Sequence, residues 1–100
     1  MSKILFTINY EIQKEKKEDY IRTVRELKSL IRPEGLESYK VYKLKGKSKR
    51  FEEQYIFNSE EAFDSFEDDT DERINILVTK ISGMTVEHTT KYTTLTEMEL

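Results

Sequence analysis

The chain contains no cysteine, which removes disulfides, thiolate nucleophiles and Cys-ligated zinc or iron–sulfur centres in one step. Tryptophan is absent as well, and histidine occurs once, as His88. A lone imidazole cannot build a paired metal site or a histidine relay. No apolar run approaches the length of a membrane span, and polar Thr7 and Asn9 interrupt the opening segment where a signal peptide would need a continuous apolar core. Charge of one sign is also lacking: Lys and Arg number 17 and Asp and Glu 20, for a net −3. That balance has the wrong sign for a protein that works by neutralising phosphates. Neither nucleic acid nor membrane is an expected partner, and the expected location is the cytoplasm.

What is present is a strong periodicity. Hydrophobic residues make up 36% of the 100 positions against 37% charged, enough for a folded core beneath a densely charged surface. Residues 4 to 12 alternate so that Ile4, Phe6, Ile8, Tyr10 and Ile12 share one face of a strand. After a charged stretch from Gln13 to Asp19, Tyr20, Val24, Leu27 and Ile31 form a helix stripe that Ile21 and Leu30 widen. Pro33 restrains Arg32, and Gly35 offers a left-handed turn, so this helix ends there. No N-cap residue marks its start.

Residues 36 to 45 and 51 to 58 read as the arms of a β-hairpin around Gly46-Lys47-Ser48-Lys49. Alternation puts Phe51, Glu53, Tyr55 and Phe57 on one side, opposite Glu52, Gln54, Ile56 and Asn58, with the aromatic side toward the helices. Asn58-Ser59-Glu60-Glu61 signals a second helix start. Ala62, Phe63 and Phe66, then Ile74, Leu77, Val78 and Ile81, give that helix its apolar side, with a break expected near Asp68 to Thr70 and a stop at Gly83. The Thr-rich run from Thr85 predicts a long final strand. The resulting order is β-α-β-β-α-β in one α+β domain over residues 1–100, a four-stranded antiparallel sheet with two helices on one face.

Few constellations carry chemistry. The acids Glu67, Asp68, Asp69, Asp71 and Glu72 lack the alternation and the glycine of a calcium loop, and read as a solvated helix start rather than a metal site. His88, the candidate catalytic residue, is the one side chain suited to proton transfer near neutrality, and is placed on the last strand with Val86 and Thr90 on its face. The basic alternation Lys43, Lys45, Lys47, Lys49, Arg50 reads as a soluble hairpin tip. Lys49-Arg50-Phe51 has the aromatics of an RNA-recognition strand but no glycine after its basic residues, and Glu52 and Glu53 oppose phosphate.

Three stretches together, Ile4–Ile12 leading into Lys14–Asp19, the strand-to-helix passage Tyr55-Ile56-Phe57-Asn58-Ser59-Glu60-Glu61-Ala62-Phe63, and the late strand through Thr93, resemble the dimeric α/β-barrel superfamily. These are ferredoxin-like subunits that include antibiotic-biosynthesis monooxygenase-like proteins. The resemblance implies sheet-to-sheet pairing of two copies into a barrel. It also implies a cavity whose functional groups in aromatic-oxidising or haem-degrading members are Asn, Trp or His. With no Trp, and with Phe63 and Phe66 where a haem-ligating His would be sought, haem oxygenation is disfavoured and no cofactor is expected.

Whether the protein is an enzyme is left open by the sequence. The favoured reading is a non-catalytic homodimeric interaction or regulatory module in which the open sheet face is consumed by subunit packing. The alternative is a small-molecule binder or cofactor-independent monooxygenase-like enzyme that uses a cavity on that face. Its ligand-binding candidates are Thr7, Asn9, Tyr42 and Gln54.

Overall fold

The computed structural model describes residues 2–68 and 71–100. The alternating first segment forms β1 (Ile4–Glu11), and the hairpin forms β2 (Leu36–Lys43) and β3 (Arg50–Phe57). The closing strand is β4 (Lys91–Thr96). The strands lie in the order β2-β3-β1-β4, with every neighbouring pair antiparallel. β1 and β3 are therefore central, and β2 and β4 are the edges. Placing β1 beside β3, from Ile4↔Phe57 to Glu11↔Arg50, gives the ferredoxin-like topology.

The first helix, α1 (Lys17–Leu30), is entered through a 3-10 turn at Lys14–Lys16 and has no side-chain cap. It buries Tyr20, Thr23, Val24 and Leu27, and Ile31 follows into the core. Ile21, expected to widen the stripe, instead lies exposed, while Leu30 does pack against the core. Gly35 takes the left-handed conformation, at φ 85°. The expected second helix is two helices, α2 (Glu60–Glu67) and α3 (Glu72–Ser82). Ser59 caps the first by accepting from the Ala62 amide at 3.1 Å, and Asp71 caps the second by accepting from the Arg73 amide at 3.0 Å. The predicted break falls partly on Asp69 and Thr70, which lie outside the described residues.

All three helices meet the sheet face that carries Phe6, Tyr10, Phe51, Glu53, Tyr55 and Phe57. Tyr20 of α1 contacts Phe51, Phe63 of α2 contacts Phe6 and Phe57, and Phe66 contacts Tyr55 and Phe57, with ring centroids 4.7 to 5.5 Å apart. Ile74, Leu77 and Ile81 bring α3 into the same core. Val78 does not complete this buried stripe, since it is 43% exposed. Among the described residues no helix is long and apolar enough to cross a membrane.

The last strand is shorter than its composition suggests. Thr85 makes one isolated bridge to Ile12, after which the Val86 amide donates to the Glu11 carbonyl at 2.8 Å. Thr89 then turns the chain: its Oγ1 donates to the Val86 carbonyl at 2.7 Å and accepts from the Glu11 amide at 3.1 Å. A side chain thus takes the ladder partner's place, and regular pairing resumes only at Lys91. His88 sits exposed in this turn with φ 65°, so it shares no strand face with Val86 and Thr90.

Leu77→Ala should cost about 2–5 kcal/mol, because it opens a cavity beneath α3. His88→Ala should stay within about 0.5 kcal/mol, as is usual for an exposed position. Denaturant midpoints of the two variants provide the comparison, and a larger loss at His88 would reverse the assignment.

Candidate functional site

The four ligand-binding candidates fall on one surface. Thr7 pairs with Gln54 across β1 and β3, Asn9 pairs with Glu52, and Tyr42 of β2 pairs with Glu52 from the other side. All belong to the sheet face turned away from the helices. Two of the four are held by charged neighbours: Arg50 donates to Asn9 Oδ1 at 2.6 Å, Asn9 Nδ2 to Glu52 Oε1 at 3.2 Å, and Gln54 Nε2 to Glu52 Oε2 at 2.7 Å. Lys49 and Arg50 also lie 4.0 and 3.9 Å from Glu11, so part of the basic hairpin tip is neutralised. Beside this network, Leu5, Ile56 and Leu95 line a shallow depression of about 280 Å³. That face can offer an apolar surface with a polar centre, flanked by Lys40 and Lys91, which stand opposite Gln54 and Asn9 in the register.

The helix-covered face holds the more unusual chemistry. Alternation along β3 turns Glu53 inward with its aromatic neighbours, and its side chain is 3% exposed. Tyr39 of β2 donates to Glu53 Oε1 at 2.6 Å, Tyr55 to the same oxygen at 3.2 Å, and Tyr10 of β1 to Oε2 at 2.7 Å. The Tyr20 hydroxyl of α1 lies 2.8 Å from that of Tyr10. Among the described residues no lysine or arginine pairs with the carboxylate. A buried charge held only by neutral donors is costly, and such groups concentrate at functional clefts.

Burial pushes the Glu53 carboxyl above its ordinary value of 4.5, and the hydrogen bonds from Tyr39, Tyr10 and Tyr55 oppose that rise. Burial likewise holds the phenols of Tyr10, Tyr20, Tyr39 and Tyr55 above their ordinary value of 10. Proton counting explains the opposition. With Glu53 ionised, the four phenolic protons find four acceptor positions: two at Oε1, one at Oε2 and one at the Tyr10 oxygen. A further proton on the carboxyl would leave one hydroxyl hydrogen with no acceptor inside the cluster.

A cleft reaches this cluster from the β4 side. Its walls are Ile8, Val78, Ile81 and Tyr92, its floor is Tyr10, Glu53 and Tyr55, and Ser82, Thr85 and Thr90 stand at its polar end. Its volume is about 40 Å³, room for roughly three or four waters at about 10–15 Å³ each. Tyr92 limits it: this residue is 65% exposed on an edge strand, with its ring stacked on Phe6 at 6.2 Å. His88 is not part of the cleft, nor are Thr7, Asn9, Tyr42 and Gln54. Sequence reasoning placed Glu53 on the aromatic side without drawing the consequence. A charged residue at an inward position between Phe51 and Tyr55 was the available signal.

The acidic stretch supplies a helix cap at Asp71, Asp69 lies outside the described residues, and among those described no cluster of three metal-binding side chains forms.

Comparison with known proteins adds the fold context. No protein-family model matches the sequence, and no curated protein matches it. Solved structures do match in shape. A conserved protein from Methanosarcina mazei Go1 superposes with a TM-score of 0.81 at 14% identity, covering 95% of this chain and 92% of its own. The cofactor-independent oxygenase SnoaB from Streptomyces nogalater gives 0.80 at 9% identity over 100% and 97%. An antibiotic biosynthesis monooxygenase gives 0.74 at 15% identity over 97% and 98%. At such identities the likeness is one of fold, and the chain has the ferredoxin-like fold of the antibiotic biosynthesis monooxygenase-like proteins.

Proposed function

We propose that this protein is a homodimeric small-molecule binder, with the cleft above Glu53 as its ligand site and the open sheet face as its subunit interface. The observation that carries the ligand reading is a buried carboxylate, unpaired with any cation among the described residues, at the floor of an apolar cleft. Such a group favours a ligand with an apolar ring system and an acidic hydroxyl, because that hydroxyl can donate to the carboxylate or pass its proton to it, sharing the buried charge with the ligand oxygen. The fold is shared with a cofactor-independent oxygenase, which supports a role as proton acceptor in chemistry of that kind. The cleft must widen to take such a ligand, since pockets for organic ligands measure roughly 300–1,000 Å³. The exposed Tyr92 ring can swing away without moving the sheet.

The dimer reading rests on the other face, where Leu5, Ile56 and Leu95 adjoin the Asn9–Glu52–Gln54 network and the unpaired edge of β4. An apolar patch beside an open strand edge is relieved by pairing with a second copy. On this reading Thr7, Asn9, Tyr42 and Gln54 meet the partner rather than a ligand.

Titration of labelled protein with 1-naphthol, followed by amide chemical shifts, is the test of the cleft. Ile8, Val78 and Tyr92 should shift, and 1-methoxynaphthalene should bind more weakly. Shifts confined to Leu5, Gln54 and Ile56 would move the site to the open face, and no shift at saturation would end the ligand reading. Light scattering should give about twice the 12.0 kDa chain mass, with Leu95→Glu shifting it to the monomer. A monomer at every accessible concentration would defeat the interface.

A further inference from the structure

We propose that Tyr39 is a redox-active residue, oxidised by one electron to a neutral phenoxyl radical while its proton crosses the hydrogen bond to Glu53. The inference is independent of any ligand in the cleft. It rests on the 2.6 Å contact between the Tyr39 hydroxyl and Glu53 Oε1, the burial of both groups, and a row of aromatic rings that joins them to the surface.

Oxidising a phenol makes its hydroxyl strongly acidic, so a buried tyrosine gives up an electron readily only where a base receives the proton. Glu53 is such a base, already in hydrogen-bond contact. The charge balance favours the step. Before it, the pair is a neutral phenol and a carboxylate, with one negative charge in a low-dielectric interior. Afterwards it is a neutral radical and a neutral carboxylic acid. The same oxidation without the carboxylate would place a positive charge in the core instead, which burial opposes. The Tyr55 hydroxyl, on the same oxygen at 3.2 Å, and that of Tyr10, on the other at 2.7 Å, remain as donors that hold the acid in place.

The path for the electron is also present. Tyr92 is exposed and stacks on Phe6 at 6.2 Å with an interplanar angle of 14°. Phe6 lies 5.6 Å from Tyr55, and Tyr55 lies 4.6 Å from Tyr39, all between ring centroids. The oxidant is an organic radical of the peroxyl or phenoxyl class that meets Tyr92 at the surface. The electron leaves the Tyr39 ring and reduces that radical to its anion, the Tyr39 O–H bond breaks, and the proton forms the O–H bond of the Glu53 acid. A one-electron donor of the phenol or enediol class at Tyr92 sends an electron back along the same rings, and the Glu53 proton re-forms the Tyr39 O–H bond. The protein thereby stores one oxidising equivalent away from solvent, where two phenoxyl radicals cannot couple.

The experiment is flash oxidation of the intact protein with photoexcited ruthenium tris-bipyridine and persulfate, read by electron paramagnetic resonance and by the decay of phenoxyl absorption. Wild type should show a phenoxyl radical that outlives the one in Tyr39→Phe by tenfold or more, a factor equivalent to about 1.4 kcal/mol on the decay barrier. Glu53→Gln should shorten it similarly. Tyr42→Phe, which alters a tyrosine on the other sheet face with no bond to Glu53 and keeps its ring, should leave it unchanged, and Tyr92→Leu should slow radical formation without changing decay. Should Glu53→Gln fail to fold, Tyr39→Phe still decides, since it deletes one hydroxyl and leaves the carboxylate two phenol donors. A wild-type lifetime in Tyr39→Phe, or a long-lived signal lost only in Tyr42→Phe, would overturn the assignment.

Discussion

Replacing Glu53 with alanine is expected to cost about 3–5 kcal/mol, whereas Glu53→Gln should cost no more than about 1–2 kcal/mol. The difference follows from the hydroxyls around the carboxylate. Alanine leaves Tyr39 and Tyr55 without the acceptor they share, at roughly 1–3 kcal/mol for each buried orphan. It also leaves a cavity among Tyr10, Tyr39 and Tyr55. Tyr10 keeps its bond with Tyr20. Glutamine preserves the shape and the acceptor used by Tyr39 and Tyr55, and its amide can donate to Tyr10. It removes the cost of a buried charge and loses one acceptor position in exchange.

The two side chains should also separate with pH. Because burial raises the Glu53 pKa above its ordinary 4.5, the folded state binds this proton more tightly than the unfolded chain. The group's contribution is therefore fully present below the ordinary value and is lost as pH rises through the raised folded value. Wild-type stability minus that of Glu53→Gln should fall across this window and level off above it, since the other titrating groups cancel in the difference. Denaturant midpoints for both proteins through the window would measure this. A difference that grows with pH would mean that the three hydroxyls outweigh burial.

Gly35→Ala is expected to destabilise by roughly 2–4 kcal/mol, and Gly46→Ala by only about 1 kcal/mol. Both glycines adopt positive φ, 85° and 82°, where an L side chain costs about 1–2 kcal/mol. Their surroundings differ. A Cβ at Gly35 would stand 2.4 Å from the Ala62 Cβ and 3.0 Å from Asn58 Oδ1, while one at Gly46 would meet nothing within 4 Å. The Gly35 backbone cannot retreat easily, because its carbonyl accepts from the Asn58 amide at 2.8 Å, and Ala62 sits on a helix fixed by the Ser59 cap. Overpacking of this kind adds about 1–3 kcal/mol. The gap between the two variants isolates the close approach, and Ala62→Gly combined with Gly35→Ala should recover much of it. Equal losses at the two positions would show that the loop yields.

Local pattern carried most of the fold. The inward set Phe51, Glu53, Tyr55 and Phe57 and the stripe Tyr20, Val24 and Leu27 could be read directly, since side-chain direction along a strand or helix follows from backbone period alone. Ser59 announced α2 for an equally local reason, its hydroxyl reaching an amide three residues on. The same locality turned Thr7 and Asn9 to one side of their strand, while register brought Tyr42 and Gln54 beside them. The exposure of Ile21 and Val78 was not legible, because it depends on how far each helix rolls over its neighbours. The length of the last strand was not legible either. Thr is as good a strand residue as any, and only the contact of Thr89 with Glu11, 78 residues away in sequence, turns the chain between Thr85 and Lys91.

The sequence by itself determined the inward side of each strand and the centre of each helix stripe, because these depend on backbone period. Only the tertiary structure decided that Tyr10, Tyr39 and Tyr55, from three strands, would converge on a single carboxylate, with Tyr20 of the first helix joined to it through Tyr10. Such convergence depends on strand order, register and the roll of α1, and a hydroxyl must arrive within about 3 Å to form its bond.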